Sequence, residues 1–525
     1  MRRWLAPAGL ALLTLALTLP LWFAPLSSVP AGDGLGDAFQ FLWNLWWTGG
    51  ALHGNHALWH TNLLHWPETT PLAFHTLTPA NGLLSLPIQA LVPGPAGLVL
   101  ALNLLTILSF FLTALAARAL AREHGATELG AFAAGALAAS LPYRLWHINH
   151  LNLLSTYWGL WTLLCLWRAL RRGTWPWIVA TALCAALLTY SDYEGALATV
   201  LLSIGMLGWR LWALRRDPGL PRVARTLAWT AALALLLHLP LLMALLQPGA
   251  APVPPTLAKT ESLSANLLGL LLPGPGSMLH QGWANALLPS STQGLAGDEV
   301  GQGLLFLPLL GWLLLRRETP RAARLWALAG ALLLLLALGP TLQVGPLRLL
   351  QGWMPLAWLR KAVPMLGISR APVRMLGLGG MTLAIAFGLA LPKRNTLAGL
   401  LLLLVLLERL PATPPKTQPV RVPQAIAALA QTPQKAALLQ LPTGYFHRQV
   451  YMFWQTEHGH PTTTGWTARL PKGMGELPDR FARLQGQEAQ QATLRRARIG
   501  YVVLAAPDPR ELLRGEPRVI PLDKP

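Results

Sequence analysis

The chain has 525 residues, of which 53% are hydrophobic and only 12% are charged, and its formal net charge is +20. Many apolar runs reach the length of about 20 residues that a helix needs to cross a bilayer. A soluble helical protein would carry polar stripes along its helices, and residues 224–246 and 325–339 lack them. The composition therefore predicts an α-helical polytopic membrane protein, because apolar segments in lipid must satisfy their backbone groups internally.

The basic residues are concentrated in short loops between the apolar runs. Positive charge in such loops orients a membrane protein, since Lys and Arg are enriched on the cytoplasmic side. We therefore expect a cytoplasmic N-terminus and no nucleic-acid partner, although a strongly basic balance is also typical of proteins that bind phosphate backbones.

Eleven transmembrane helices are expected, at residues 4–24, 98–117, 128–142, 151–167, 175–190, 196–214, 226–246, 300–315, 325–339, 375–391 and 396–410. An odd number of spans places the two ends of this bundle on opposite sides, so the C-terminal part is expected outside. The apolar run from Trp4 to Leu26 is longer than the core of a usual signal peptide and has no clear cleavage site after it. We interpret it as a retained first helix.

Residues 1–410 form the expected transmembrane domain, with long outer loops at 25–97, 247–299 and 340–374. The first loop has no Lys or Arg and is rich in Trp and Pro, which favours short helices lying in the membrane interface. Five prolines in residues 411–423 favour a stiff linker. Residues 424–525 mix helix-like stretches with strand-like ones at 436–441 and 499–504, which predicts a small α/β extracytoplasmic domain.

Two acids, Asp33 and Asp37, follow the first apolar run on a glycine-rich link and precede the aromatic stretch 38–47. Carboxylates in such a position can coordinate a divalent cation or act as a general base. Alternatively, Asp37 caps a helix that begins at Ala38, as Asp commonly does. The roles are compatible, so Asp37 and Asp33 are the candidate catalytic residues.

Further acids lie at the expected outer ends of spans. Asp192 and Glu194 stand between two spans with almost no loop, and carboxylates so close to hydrocarbon are costly, which favours a cavity or a partner. The alternative is a turn at the water boundary with solvated acids. Asp298 and Glu299 precede the span at 300, where the helix dipole favours acids in any case. Asp192, Glu194 and Glu299 are the candidate metal ligands.

Arg370 and Arg374 flank an Ala-Pro-Val stretch in the outer segment before the tenth expected span. Paired guanidinium groups suit bidentate binding of a phosphate, and the alternative is snorkelling toward lipid head groups. Arg144, His147 and His150 lie together at another expected outer mouth. The histidine spacing suits either a metal or a polar lining, and all three are kept as candidate substrate-binding or phosphate-binding residues.

Four stretches carry a family resemblance through their order along the chain: Gly36-Asp37 with Trp43, Leu141–Arg144 with His147 and His150, Leu338–Leu342 followed by Arg370–Arg374, and Tyr451–Pro461 with Gly465 and Arg469. Together they resemble bacterial multi-span proteins of the type-C glycosyltransferase (GT-C) superfamily, in a subgroup with an outer C-terminal domain. The resemblance extends over most of the chain.

The resemblance implies a membrane glycosyltransferase of the hexosyltransferase type, which moves a sugar from a polyprenyl-phosphate-linked donor to an envelope glycan or lipid acceptor. It implies an essential acid at Asp37, a divalent cation (Mg or Mn), and a second acidic motif for which Asp192 or Glu194 stands. It also implies a location in the bacterial inner membrane, with membrane lipid as a partner and the chemistry on the outer face.

Two other classes of function fit the composition. A lipid or polysaccharide transporter or flippase often shows internal repeats and broken helices at mid-membrane, whereas this sequence shows no repeat and its polar residues cluster at the expected outer side. A non-catalytic envelope scaffold is the second alternative, and a ligase or polymerase of lipid-linked glycans is a related enzyme. Acids that converge with Arg370 favour an enzyme, and scattered acids argue against one.

Overall fold

Helices dominate the computed structural model of the chain, which describes residues 2–32, 36–214, 219–247, 254–272, 277–279, 301–363, 369–432, 436–470, 474–475 and 477–522. Asp33 and Glu299, two of the candidate site residues, lie outside the described residues, as does Asp298.

The helices follow in chain order: α1 (Arg2–Leu17), α2 (Pro20–Phe23), α3 (Asp37–Leu52), α4 (Pro79–Leu91), α5 (Pro95–Glu123), α6 (Glu128–Ala139), α7 (Pro142–Trp146), α8 (Leu151–Leu154), α9 (Tyr157–Arg172), α10 (Trp175–Thr189), α11 (Tyr193–Leu214), α12 (Leu220–Leu245), α13 (Leu257–Ser262), α14 (Leu267–Leu271), α15 (Phe306–Leu315), α16 (Arg321–Ala337), α17 (Pro355–Ala362), α18 (Met375–Ala390), α19 (Asn395–Arg409), α20 (Gln424–Leu429), α21 (Tyr445–His458), α22 (Leu477–Arg483), α23 (Gln487–Arg496) and α24 (Pro509–Leu512).

The strands are short: β1 (Ser28–Pro30), β2 (His60–Thr61), β3 (Thr70–Pro71), β4 (Leu342–Val344), β5 (Leu347–Leu349), β6 (Thr417–Pro419), β7 (Ala437–Leu441), β8 (Ile499–Leu504) and β9 (Arg518–Pro521). Three antiparallel pairs join β1 to β6, β2 to β3 and β4 to β5. In the remaining sheet β8 is central, parallel to β7 and antiparallel to β9. The strand-like stretches at 436–441 and 499–504 are thus present as β7 and β8.

Every expected span overlaps at least one helix, but the limits and lengths differ. Among the described residues, four helices are long and apolar enough to cross a membrane: Pro95–Glu123, Tyr193–Trp212, Leu220–Leu245 and Pro372–Ala390. The first expected span, at 4–24, is interrupted, since α1 ends at Leu17 and α2 begins at Pro20, whose ring nitrogen has no N–H to continue the helical ladder. The helices fit a helical membrane protein, whereas the total of eleven spans is not confirmed.

Helix α18 lies at the centre of the bundle, and every one of its residues is buried. It approaches α6 closely because both helices present glycine at the crossing. A Cβ on Gly130 would lie 2.3 Å from the Gly388 carbonyl oxygen, and a Cβ on Gly388 would lie 2.2 Å from that of Gly130. Small residues at helix crossings are how membrane helices bring their backbones together.

Helix α3 is buried rather than interfacial. The sequence predicted short interface helices in the loop 25–97, but α3 packs between α4 and α21, and Phe39, Trp43 and Trp47 are almost wholly inaccessible. The prediction was wrong for α3 because the C-terminal part of the chain covers its apolar surface, and a local pattern does not reveal such a long-range contact.

The C-terminal segment shares a hydrophobic core with the loop 25–97, which the sequence predicts to be an outer loop. Val29 and Phe39 belong to the same cluster of buried side chains as Ile426, Trp454 and Val503. Strand β6, which falls in the expected linker, pairs with β1 just before α3. The limits of the expected domains at 1–410, 411–423 and 424–525 stay a prediction, and the two parts meet over a common core.

We expect Gly388→Ala to destabilise the protein, because its Cβ would collide with backbone in the crossing of α6 and α18. Overpacking of this kind typically costs about 1–3 kcal/mol. Thermal unfolding in detergent measures the effect. Gly399→Ala is the matched control, since a Cβ there meets nothing within 4 Å. Equal melting temperatures for the two variants would contradict the tight crossing.

Candidate functional site

Asp37 is the first residue of α3, and its position is set by the residue before it. Gly36 has φ 82°, a left-handed conformation that glycine adopts without strain, and a Cβ there would lie 2.6 Å from the Phe446 ring. The helix begins at Asp37, not at Ala38, and its N-cap Gly36 offers no side-chain hydrogen bond. The alternative that Asp37 caps the helix is therefore wrong, although the helix dipole still favours a carboxylate at this end.

The carboxylate of Asp37 is held by three side chains from distant parts of the chain. The Tyr445 hydroxyl and the Gln449 amide, one turn apart on α21, donate hydrogen bonds of 3.0 Å and 2.7 Å to Oδ1. His150 Nε2 lies 2.5 Å from Oδ2, and its Nδ1 faces the Asn149 side-chain oxygen at 2.8 Å. Both ring nitrogens of His150 face oxygen atoms, so the geometry fits a positively charged ring paired with the carboxylate.

These contacts keep Asp37 ionised. Burial by itself would raise the pKa of Asp37, but the charge of His150 and the hydrogen bonds from His150, Tyr445 and Gln449 together hold that pKa below its usual value. A carboxylate offers about four lone-pair positions, and three are used by described side chains. Among the described residues no fourth side chain bonds to Asp37, which leaves one position for a proton donor.

A cavity of about 450 Å³, called here the polar cavity, lies where α11, the segment before α18, and the loops after β3 and α21 meet. Its charged and hydroxyl lining is formed by Thr76, Thr78, Thr189, Tyr190, Ser191, Asp192, Tyr193, Glu194, Ser369, Arg370, Arg374 and Arg469. Its apolar lining includes Leu197, Leu245 and Val363. The cavity therefore has both an ionic and an apolar wall.

A buried ion pair stands in the polar cavity. Arg374 Nη1 lies 2.7 Å from Glu194 Oε2, and the Ser369 hydroxyl donates to Glu194 Oε1 at 2.9 Å. Asp192 accepts the backbone N–H of Gly195 at 2.8 Å. Asp192 and Glu194 are only 5% and 8% exposed. The alternative of a solvated turn is wrong, because both acids face the cavity rather than bulk water.

Asp192 differs from its neighbours in its affinity for a proton. Burial, reinforced by the negative charge of Glu194, raises the pKa of Asp192 to about 6, and Arg374 only partly opposes the shift. Asp192 therefore changes charge close to physiological pH, whereas Asp37 stays ionised.

Arg370 lies in the wall of the polar cavity. Its Nη1 donates to the Ala468 carbonyl oxygen at 3.0 Å, next to Arg469. Burial and the nearby Arg374 lower the pKa of Arg370, whereas Glu194, Tyr445 and Asp37 counteract that shift. Glu194 and Asp37 thus both act electrostatically on one guanidinium group, but Asp37 is not among the residues that line the polar cavity.

Arg144 and His147 do not line the polar cavity. Arg144 is buried in the bundle, where it donates to the Leu154 carbonyl and the Ser109 hydroxyl, each at 3.1 Å, and lies over the Phe110 ring. The rings of Tyr143 and His150 contact that of His147 edge-on. Of these three sequence candidates, His150 is the one that reaches Asp37, and its partner is an acid rather than a phosphate.

The described residues do not assemble a metal-ligand set. Across the part of the chain that the structure describes, no three His, Cys, Asp or Glu side chains come together for a metal ion. Both oxygens of Glu194 are engaged by Arg374 and Ser369. Glu299, the third expected ligand, lies outside the described residues, so the cation expected at Asp192, Glu194 and Glu299 stays a prediction, and no chemical step is assigned to it.

Several site residues were not identified as such from the sequence. Tyr445, Gln449 and Arg469 come from the segment expected to be a separate domain, and Ser369 precedes the expected arginine pair. The polar, aromatic stretch 445–469 is a signal of unusual composition, but nothing in it indicates a contact with a residue some 400 positions earlier.

The fold is similar to those of known membrane glycosyltransferases. The crystal structure of the Archaeoglobus fulgidus oligosaccharyltransferase in complex with Zn and sulfate has a TM-score of 0.53 at 13% identity, covering 95% of this chain and 67% of that one. Archaeal AglB from the same organism, with an inhibitory peptide and a dolichol-phosphate, gives 0.51 at 11% identity, covering 95% and 68%. The arabinofuranosyltransferase AftD from Mycobacteria gives 0.57 at 17% identity, covering 96% of this chain but only 35% of that one.

These likenesses show that the chain has a GT-C-like fold. The chain belongs to the DUF6311 family, a domain of unknown function whose model matches residues 45–408. No curated protein matches the sequence significantly. Asp37 and the C-terminal side chains that hold it lie outside the matched range.

We expect stability to depend on pH through Asp192. Its pKa rises from an ordinary 3.8 to about 6 on folding, so the folded state binds an extra proton between these values. The free energy of unfolding, taken relative to Asp192→Asn, should therefore fall by up to about 3 kcal/mol as pH rises from 4 to 7.

Denaturant unfolding in detergent at several pH values measures this difference. Glu488→Gln, at an exposed acid on α23, is the control and should follow the wild type. A difference between wild type and Asp192→Asn that stays constant, or grows with pH, would contradict the placement of Asp192.

Proposed function

We propose that this protein is an integral membrane glycosyltransferase. It transfers a sugar from a polyprenyl-phosphate-linked donor to an envelope glycan or lipid acceptor, on the outer face of a bacterial plasma membrane. The GT-C-like fold supports the class of enzyme, and AglB is a neighbour whose structure holds a dolichol-phosphate.

One observation carries the proposal: an ionised carboxylate lies within electrostatic reach of a cationic cavity that also has an apolar wall. Asp37 supplies the carboxylate. Arg370 lies in the cavity wall and interacts electrostatically with the charge of Asp37. A phosphorylated lipid has the same combination of anionic head and apolar tail. A carboxylate near the head would meet an acceptor hydroxyl at the point where sugar and phosphate separate.

The apolar wall of the polar cavity continues into a groove suited to a prenyl chain. Leu201 follows Leu197 by one turn on α11, and Leu359 lies one turn before Val363 at the end of α17. Leu201 and Leu359 line a second cavity of about 430 Å³, bounded by α11, α16 and α17, with an almost entirely apolar surface. A donor whose phosphate lies in the polar cavity would extend its chain along these helices.

The proposed reaction is a direct displacement at the anomeric carbon of the sugar. The acceptor oxygen forms the new glycosidic bond while the bond from the anomeric carbon to the phosphate oxygen breaks. Asp37 accepts the proton of the acceptor hydroxyl at its remaining lone-pair position. The bonding electrons leave with the prenyl phosphate, whose growing negative charge is stabilised by arginine.

We expect Asp37→Asn to reduce sugar transfer by at least about a hundredfold, because a general base typically contributes a factor of 10²–10⁴. Purified protein in lipid nanodiscs, offered a panel of synthetic polyprenyl-phosphate hexoses, is the assay. Asp479→Asn is the matched control, since it removes an acid in an exposed pair with Arg448. Full activity in Asp37→Asn would remove Asp37 from the mechanism.

We also expect Tyr445→Phe to move the acid limb of the transfer rate to higher pH. Its hydroxyl stabilises the charged form of Asp37, so its loss raises the pKa of that carboxyl, and the shift should be about one pH unit or less because Tyr445 is 39% exposed. The pH profile of the maximal rate gives the shift.

Tyr501→Phe in β8 is the control for the removal of a phenol hydroxyl from the same segment. A Tyr445→Phe profile that coincides with the wild type, or that moves to lower pH, would show that Asp37 does not set the acid limb.

A further inference from the structure

The arginines of the polar cavity are not equivalent. Arg374 forms an ion pair with Glu194 at 2.7 Å, so Glu194 already compensates the charge of Arg374. Arg370 uses one nitrogen on the Ala468 carbonyl and has no acid in contact within the described residues. Arg469 lines the same cavity and forms neither a hydrogen bond nor an ion pair with any described residue.

The position of Arg469 is set by the first outer loop. The backbone N–H of Ala468 donates to His75 Nδ1 at 3.2 Å, and His75 Nε2 lies 3.1 Å from the Asn44 side-chain oxygen on α3. Thr467 in turn lies 3.4 Å from His65 Nε2. The segment that ends at Arg469 is therefore bonded to His75, and His75 is in turn bonded to α3, the helix that begins with Asp37.

His75 suits this positioning because it stays neutral. Burial, with smaller contributions from the charges of His65 and Arg370, lowers the pKa of His75 to about 3. A neutral ring can donate from Nε2 to Asn44 and accept at Nδ1 from Ala468, as the two contacts require. The ring adds no positive charge near Arg469, so the guanidinium group is left available for an anion.

The net charge of the cavity lining matches a ligand that carries one negative charge. Among the described lining residues, three arginines face two carboxylates, Asp192 and Glu194, which leaves one net positive charge when both acids are ionised. A sugar linked through a single phosphate diester carries one negative charge, and a diphosphate-linked sugar carries two. Guanidinium groups bind phosphate oxygens through two parallel N–H donors, so a pair of them can enclose one phosphate.

Resting on the proposed glycosyltransferase function, we propose that Arg370 and Arg469 form a clamp for the single phosphate of the lipid-linked donor. The C-terminal segment thereby supplies half of the phosphate site, and Arg374 is occupied by Glu194. The two guanidinium groups provide the positive charge themselves, so the clamp binds the phosphate without a divalent cation.

The test measures binding apart from transfer. Isothermal titration of farnesyl methyl phosphate, a diester that carries one negative charge as the donor does and is called farnesyl phosphate below, into the protein in nanodiscs and in the presence of EDTA gives the dissociation constant. Arg469→Gln and Arg370→Gln should each weaken binding about ten- to a hundredfold, the usual cost of a lost charged hydrogen bond. Arg469→Lys, which keeps the charge but not the paired donors, should lie between Arg469→Gln and the wild type.

Arg483→Gln is the matched control, because Arg483 is an exposed arginine of the same segment that donates to the Asp479 carbonyl. It should bind farnesyl phosphate as the wild type does. Farnesyl diphosphate should bind no more tightly than the monophosphate. Inorganic phosphate and a dioleoyl phosphatidic acid, added as competitors, should displace farnesyl phosphate poorly, because neither combines a phosphate with a prenyl chain.

The outcomes separate the clamp from the enzyme assignment. Wild-type affinity in both Arg469 variants would overturn the clamp while leaving the transferase proposal to the Asp37 assay. Binding that is lost in EDTA and restored by Mg²⁺ would overturn the claim that guanidinium groups suffice. Equal displacement by phosphatidic acid would assign the site to an ordinary phospholipid and overturn the donor role. A wild type that binds no farnesyl phosphate would contradict both the clamp and the proposed function.

Discussion

The structure depends on the parallel packing of α3 against α21. Asp37 and Gln449 meet at the N-terminal ends of these helices at 2.7 Å, and Trp43 donates to Gln455 at 2.7 Å further along. Buried aromatic side chains, among them Phe39, Phe453 and Trp454, fill the space around this contact. Because bonded polar groups and apolar packing act along the same pair of helices, the pairing holds the carboxylate, the loop with Arg469 and the bundle in one arrangement.

The site concentrates charge beside a segment apolar enough to cross a membrane, which is costly unless the charges are paired. Among the described acids of the site, Asp37 has His150, Tyr445 and Gln449 as partners and Glu194 has Arg374 and Ser369, whereas Asp192 accepts the backbone N–H of Gly195 and has a raised pKa. The arginines outnumber the acids in the polar cavity. The uncompensated part of the charge is therefore positive and faces a cavity, where it is available to an anionic ligand rather than needed for the fold.

Sequence patterns located the helices and some of the residues of the candidate site. Apolar runs predicted where helices lie because lipid and a helical core select for the same uninterrupted composition, although the pattern did not yield the break before Pro20 or the burial of α3. Asp37, Arg370 and the pair Asp192 and Glu194 stood out because charge is rare beside apolar runs.

The remaining site residues depend on contacts between distant parts of the chain, which composition does not encode. His150 was grouped with Arg144 because the two are near in sequence, yet one reaches Asp37 and the other is fixed in the bundle. Arg374 and Arg469 show the same point. The spacing of Arg370 and Arg374 suggested a matched pair of phosphate ligands, but Arg374 is paired with Glu194. The second guanidinium group proposed for the phosphate is that of Arg469, in a loop about 100 residues away.

The separation between Asp37 and its partners has a consequence for biosynthesis. The hydrogen bonds from Tyr445 and Gln449 span 408 and 412 residues. Strand β1 likewise cannot pair with β6 until β6 has been synthesised. A nascent chain inserts most of its bundle while the carboxylate at the head of α3 still lacks these neighbours. Asp37 thus acquires these hydrogen bonds only when translation has passed residue 449, so a stalled or prematurely ended product would lack them.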